Sequence, residues 1–356
     1  MAKLISPVVS VTFTELGITA ITRGDKGTVA LIVRDEAEQA PFAVTQASQV
    51  PDKLGKETQD YIKRTFLGYV NPPKKVIVYV LGKDDALSDA LDYLSTYEFD
   101  YICGPADCTA AEASDIASWV KSRRLNDGAK YKAVLPNCPT DHYSVVNFTG
   151  DAMTDGTTVW ATAEYCSRIA GLLAGTPMKI SATYAPLPEL TDCARLTKED
   201  SDKAVGAGEL ALRWDGRKVK LNRAVNSLVT TSDGMLDSFK KIKIVEIMDL
   251  IRTDITSTAE DDYVGKFANT YDNKQLLISA IRGYFMGLEQ SKLVQPGYTV
   301  ELDVDAIEQY LVSRGTNTEE MTEQKLREAD TGSHVFILVR CKILDAIEDI
   351  IINVLI

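Results

Sequence analysis

Apolar positions alternate along residues 333–343, where the chain reads SHVFILVRCKI. Val335, Ile337, Val339, Cys341 and Ile343 are interleaved with Phe336, Leu338, Arg340 and Lys342, the period of a strand whose two faces meet different surroundings. A second apolar run follows at Ile347, Ile350, Ile351, Ile352, Val354 and Leu355. A β-branched run at a chain terminus, without a polar tail after it, needs a sheet to pair with. That sheet belongs either to the chain's own core or to a neighbouring copy, to which the strand would be donated through backbone hydrogen bonds. At the other end Val9, Val11 and Phe13 alternate with Ser10, Thr12 and Thr14, so both ends of the chain are predicted strands.

Between them strands and helices alternate. Residues 28–33 form a nearly continuous apolar strand after the turn at 24–27, and 76–81, 99–103 and 131–135 are further buried-type strands. Asp84 caps a predicted helix that presents Leu87, Ala90, Leu91 and Leu94 on one face. Thr109 and Glu112 have the spacing of a capping box, for a helix that continues through Ile116, Trp119 and Val120 to a stop at 126–128. This order favours a mostly parallel sheet covered by helices. The small-residue-rich stretch 159–174 is predicted as a buried helix, and the proline-punctuated connector 181–196 marks a domain boundary. Beyond it, Asp215-Gly216 suits a two-residue turn that sets Trp214 opposite Arg217, Leu212 opposite Val219 and Leu210 opposite Leu221. Ile244, Ile247, Met248, Ile251 and Ile255 stripe one helix; Leu277, Ile281, Tyr284 and Leu288 stripe another, with Asp272 and Gln275 placed as its capping box. Tyr298, Val300 and Leu302 then point inward from a strand.

Charge and residue usage narrow the function. With 39 basic and 51 acidic residues the formal net charge is -12, which argues against a nucleic-acid-holding surface and favours solubility. No basic leader followed by an apolar stretch and no run of about 18 apolar residues is present, so neither secretion nor membrane insertion is expected. The six cysteines, at 103, 108, 138, 166, 193 and 341, show no C-x-x-C pairing and read as small buried hydrophobes in a reducing compartment. His142 and His334 are the two imidazoles, which disfavours a histidine metal site or triad. Cys138 with His142 could form a nucleophile and base, but no third group orients them, and loop turns and helix caps account for the same residues. The RGD at 23–25 sits in a turn, and Gly206, Gly208 and Ala211 mimic a dinucleotide fingerprint without the strand that must precede it. No catalytic, cofactor-binding or metal-ligating residue is assigned, and no cofactor is expected.

The order of the later pieces carries a resemblance. Trp214-Asp215-Gly216, then 222–228 (NRAVNSL), the long helix across 241–254, Tyr263-Val264-Gly265-Lys266 and Asn269 are similar to the core of contractile tail sheath proteins, those of contractile-tailed phages and R-type bacteriocins. The likeness covers residues 197–356, and 7–35 resembles the amino-terminal arm of the compact sheaths of Gram-positive prophages. The resemblance implies a structural subunit without enzymatic activity. Such subunits form stacked six-fold rings in a helical assembly around a tail tube protein, with baseplate and tail-terminator proteins as further partners and no direct nucleic acid. The particle would be a virion tail or a phage-tail-like body assembled in the bacterial cytoplasm, contracting on a baseplate trigger. The expected architecture is α/β: a mixed, largely parallel sheet with helices, plus β-rich terminal arms that pair with neighbouring subunits. Residues 1–20 are the amino-terminal arm, 21–190 an outer α/β domain, 191–343 the sheath core and 344–356 a donated strand. Inter-subunit exchange is assigned to Val9, Val11 and Phe13 in the arm and to Ile350, Ile352 and Val354 at the other end. The competing readings are an α/β enzyme that binds a small molecule with residues 20–190, which predicts a pocket of convergent polar groups, and an oligomeric scaffold of another kind.

Overall fold

The structure, a computed structural model, describes residues 21, 26–37, 40–82 and 85–355. The described residues divide into two compact units, one within 26–253 and 343–355, the other residue 21 with 254–342. Val9, Val11, Phe13 and Asp84 lie outside the described residues.

The larger unit is built on a sheet whose middle strands are apolar on both faces, as parallel strands covered by helices must be. β1 (Thr28–Arg34) is followed by β2 (Phe42–Val44), helix α1 (Lys56–Thr65), β3 (Lys75–Leu81), α2 (Leu87–Leu94), β4 (Tyr101–Cys103), α3 (Ala110–Asn126), β5 (Lys132–Pro136) and β6 (Val145–Phe148). After the small hairpin of β7 (Met153–Thr154) and β8 (Val159–Trp160) come α4 (Thr162–Ala174), α5 (Lys198–Gly206) and β9 (Glu209–Leu210). The strand order is β2-β3-β1-β4-β5-β6-β9, parallel throughout except for β2. One face of this sheet, with Val29, Leu31, Val76 and Val78, packs on Tyr61 and Ile62 of α1 and Tyr165 and Ile169 of α4. The other face, with Ala30, Ile32 and Ile77, packs on Leu91 and Leu94 of α2 and Ile116 and Val120 of α3. The mixed, largely parallel α/β architecture agrees with the sequence expectation.

Local chemistry accounts for where the elements start. Glu112 donates its backbone N–H to Thr109 Oγ1 at 3.3 Å while its carboxylate accepts from Thr109 N–H at 2.9 Å, the reciprocal capping expected for α3. The buried helix predicted from residue 159 begins three residues later, at Thr162, because Val159 and Trp160 pair with Met153 and Thr154 and the Glu164 carboxylate then accepts from Ala161 N–H at 2.6 Å. Arg168 stays buried inside α4 because Nε reaches Glu189 at 2.5 Å and Nη1 reaches the Gly68 carbonyl at 2.7 Å. Gly171 lets α4 approach α1: a Cβ there would lie 1.9 Å from the Thr65 carbonyl oxygen.

The hairpin differs in register from the sequence expectation. β10 (Leu212–Trp214) and β11 (Val219–Leu221) pair Trp214 with Val219 and Leu212 with Leu221, so a four-residue loop replaces the two-residue turn. The Asp215 carboxylate accepts from the N–H groups of Arg217 and Lys218 at 2.9 and 3.0 Å and holds that wider loop closed. The shift keeps the parity of the strands, so Leu212, Val219 and Leu221 still enter the core of the larger unit.

α6 (Ile242–Thr258) carries the division between units, at Thr253/Asp254. Ile242 at its start joins the apolar core, and the turns that follow meet the amino ends of the sheet strands through ions. Glu246 bonds Lys26, just before β1, at 2.5 Å and accepts from the Tyr101 hydroxyl at the start of β4. Asp249 accepts from Lys132 at the start of β5 at 2.8 Å and from both terminal nitrogens of Arg124 at 2.6 and 3.1 Å. Burial pushes the Asp249 carboxyl up, but Lys132 and Arg124 outweigh it and hold it below its ordinary value.

In the smaller unit α7 (Tyr271–Gln290) is capped by Thr270, whose hydroxyl accepts from Asn273 N–H at 3.3 Å; Asp272, expected as the cap, lies in the first turn. Its buried stripe runs through Ile278, Ile281, Tyr284, Phe285 and Leu288, with Leu277 only half-buried. β12 (Thr299–Leu302), α8 (Val304–Ser313), α9 (Glu323–Glu328) and β13 (Ile337–Arg340) follow. β13 is the alternating strand seen in the sequence, and it pairs antiparallel with β12 of its own chain, Val339 opposite Val300 and Ile337 opposite Leu302.

Asp249→Ala is expected to cost about 3 to 5 kcal/mol, because it leaves Arg124 and Lys132 buried without their carboxylate. Denaturant unfolding of the variant beside the wild type measures it; a loss under about 1 kcal/mol contradicts the account.

Candidate functional site: an anchored apolar segment

Apart from a single bridge residue at Ile343, residues 343–355 contain no strand, and the second apolar run has no partner strand among the described residues. Ile347, Ile351 and Leu355 are 87, 90 and 98 % exposed, and Ile350, Ile352 and Val354 are also largely in solvent. An exposed apolar stretch of this length marks an interaction surface.

The acidic residues of the same segment behave in the opposite way. The Glu348 side chain is 5 % exposed. It accepts from Thr183 Oγ1 at 2.6 Å, Ser181 Oγ at 2.9 Å and Lys241 Nζ at 3.2 Å, with Arg223 Nε at 3.6 Å. Asp349 pairs with Arg223 Nη2 at 2.5 Å, and Asp345 pairs with Lys241. The body positions these partners by separate means. Ser181 and Thr183 belong to the proline-flanked connector, where Thr183 Oγ1 also accepts from Ala224 N–H at 3.0 Å. Arg223 follows β11, and Lys241 immediately precedes α6, its carbonyl accepting the first turn's N–H groups from Ile244 and Val245. The hydrogen bond from Arg223 holds Asp349 below the usual carboxylate range, and Asp349 in turn raises Arg223. Burial would lower Lys241, but Asp345 and Glu348 raise it above its ordinary value.

A polar cleft of about 570 Å³ adjoins this anchor, with Tyr184, Arg213, Trp214, Asn222, Glu348 and Asp349 in its lining. Its polar groups are engaged with each other: Arg213 donates to the Tyr184 hydroxyl at 3.1 Å, and Asn222 Nδ2 to Ser201 Oγ at 2.7 Å. Cys138 and His142 do not make an activated pair. Burial pushes the Cys138 thiol up, away from thiolate, and lowers His142 to about 4, while His142 Nδ1 is taken up by Ser144 Oγ at 2.7 Å. Four of the six cysteines are buried as expected, but Cys341, just beyond the end of β13, is exposed and Cys108 is intermediate.

Two family descriptions match the sequence, the phage tail sheath protein central domain over residues 82–227 and the phage tail sheath C-terminal domain over residues 237–356. A tail sheath protein of Clostridium phage phiCD119 is 36 % identical over 99 % of this chain and 99 % of its own length. The chain belongs to the phage tail sheath family. The sheath fold is seen in a crystal structure of the sheath tail protein from Desulfitobacterium hafniense, with a TM-score of 0.67 at 17 % identity over 83 % of this chain and 94 % of that one. It is seen again in the contracted helical sheath of the anti-feeding prophage, with a TM-score of 0.70 at 14 % identity over 99 % of both chains. This sheath subunit is therefore a structural protein of a contractile tail and not an enzyme.

Of the residues assigned to exchange, Ile350, Ile352 and Val354 fall together on the exposed run, and the amino-terminal three lie outside the described residues. Sequence reading missed the acidic anchor. Its signal was present, since Asp345, Glu348 and Asp349 interrupt an apolar run, but nothing local pointed to Ser181, Thr183, Arg223 and Lys241 as their partners.

The anchor has a pH window. Asp349, with a depressed pKa, contributes fully above the ordinary aspartate value near about 4 and is lost as pH falls through its lowered value. Lys241, with a raised pKa, contributes fully below about 10 and is lost as pH rises through its raised value. A dye on Ile347→Cys in a Cys108→Ser/Cys341→Ser background is expected to show constant, high anisotropy between those limits and a fall beyond each. An anisotropy that stays constant as pH falls far below the ordinary aspartate range contradicts the role of Asp349.

Proposed function

We propose that the sheath subunit polymerises by strand exchange, residues 350–355 of one copy adding to a strand edge of a second. The supporting observation is the fully exposed β-branched run, which sits beside an anchored acidic stretch and has no strand next to it among the described residues. In an added strand Ile350, Ile352 and Val354 share one face, and backbone hydrogen bonds supply the attachment. A suitable edge is β13, which β12 covers on one side and no strand among the described residues covers on the other. Val9, Val11 and Phe13 serve the same purpose at the amino end.

In this reading residues 1–20 are an arm, 21–190 face outward, 191–343 form the assembling core and 344–356 include the exchanged strand. Subunits stack as six-fold rings into a helical sheath around a tail tube protein, capped by a terminator and joined to a baseplate that triggers contraction. The structures of the anti-feeding prophage, which are of a baseplate and of a contracted helical sheath, support that organisation for this family member. The particle is a virion tail or a phage-tail-like body assembled in the bacterial cytoplasm. Net charge -12 is in keeping with a subunit that touches no nucleic acid, and no helix among the described residues is long and apolar enough to cross a membrane.

Ile350→Asp/Ile352→Asp/Val354→Asp is expected to leave the melting temperature within a few degrees, since these side chains are already in water. The variant is expected to yield no rods, tubes or rings by negative-stain electron microscopy where the wild type yields them. Polymers of normal length from the variant, or a monomeric wild type, would refute strand exchange; global unfolding of the variant would place the run in the chain's own core.

A further inference from the structure

We propose that Glu348 is the fixed root of the exchanged strand, so that the part free to join a second copy begins at Ile350 and the accepting edge passes beside the Arg223 and Lys241 surface. The proposal rests on the strand-exchange reading and adds where the exchanged strand starts and which surface its partner must approach.

The contrast within six residues carries it. Ile347 and Ile350 project into solvent, 87 and 73 % exposed, while Glu348 between them is buried to 5 % at its side chain. Its carboxylate is met by groups from three separate places in the larger unit: the 181–183 connector, Arg223 two residues beyond β11, and Lys241 just before α6. A carboxylate satisfied in this way resists extraction, because Lys241, Thr183 and Ser181 would each lose a partner at once. The residues beyond Asp349 have no such hold. When the bodies of two copies shift relative to each other, the segment yields between the two regimes, at residues 349–350.

Geometry then limits the partner. Extended chain advances about 3.3 Å per residue, which places Ile350 about 7 Å from Glu348, and a paired strand lies about 4.8 Å to the side. The accepting strand of the second copy therefore runs within about 12 Å of Glu348. A free linker from residue 343 onward would permit a wide range of separations; a root at 348 permits a narrow one, as a helical lattice of uniform repeat requires.

The test uses the full-length chain and two variants, Glu348→Gln, which keeps shape and removes charge, and Lys241→Met, which removes one donor from the body. Limited elastase digestion of the soluble subunit, with cut sites read by mass spectrometry, is expected to confine wild-type cleavage to residues 350–355. Both variants should open sites at 343–347, with cleavage there rising about tenfold, the scale of one charge-assisted hydrogen bond. Their polymers should form only at about tenfold higher subunit concentration and show a less regular axial repeat. Equal cleavage along 343–355 in the wild type, or unchanged cleavage in both folded variants, overturns the root. If the digestion pattern is as expected while the wild type stays monomeric, the root stands and strand exchange fails.

Discussion

An extended apolar segment in water leaves its backbone groups without strand partners and its side chains without a core. Most of this subunit can be understood from how the chain manages that constraint. Residues 350–355 are not folded back into a sheet of the larger unit, yet the segment is not loose, because Glu348 and its flanking aspartates are bound to the body by ion pairs and hydroxyl groups. Polar residues fix the direction of the segment and apolar residues keep their faces open. Ion pairs suit the first task since their strength depends on geometry, and the hydrophobic effect suits the second since it acts on any apolar surface that arrives.

The same division of labour recurs where α6 meets the sheet. The helix is seated across the strand ends by Glu246 and Asp249 with Lys26, Lys132 and Arg124, groups that have to be placed within hydrogen-bonding distance to offset their desolvation. Apolar packing predominates on the two faces of the sheet, where α1 and α4 cover one side and α2 and α3 the other.

Much of this was legible in the sequence because it depends on neighbours along the chain. The strands at 28–34 and 75–81, the reciprocal cap of α3 and the buried character of α4 followed from local apolar patterning and from side chains that bond backbone three residues away. The misreadings share a cause. The hairpin widened to a four-residue loop because Asp215 bonds two N–H groups beyond Gly216, and residues 159–160 became a strand because a partner at 153–154 was within reach. Similarly, Thr270 displaced Asp272 as the cap of α7, since its hydroxyl lies three residues before an N–H group in need of an acceptor. In each case two local signals competed and the surroundings selected one.

The sequence by itself determined the α/β class, the family, and the two apolar runs near residues 337 and 350, because periodicity and residue order survive without coordinates. Tertiary structure decided that these two runs have different fates. The first finds β12 within its own unit and becomes β13; the second finds only donors for its carboxylates. The first alternates and the second clusters beside Asp345, Glu348 and Asp349, but neither pattern says which run has a partner strand within its own chain. The difference arises from which groups, more than a hundred residues away in sequence, the fold brings alongside Glu348.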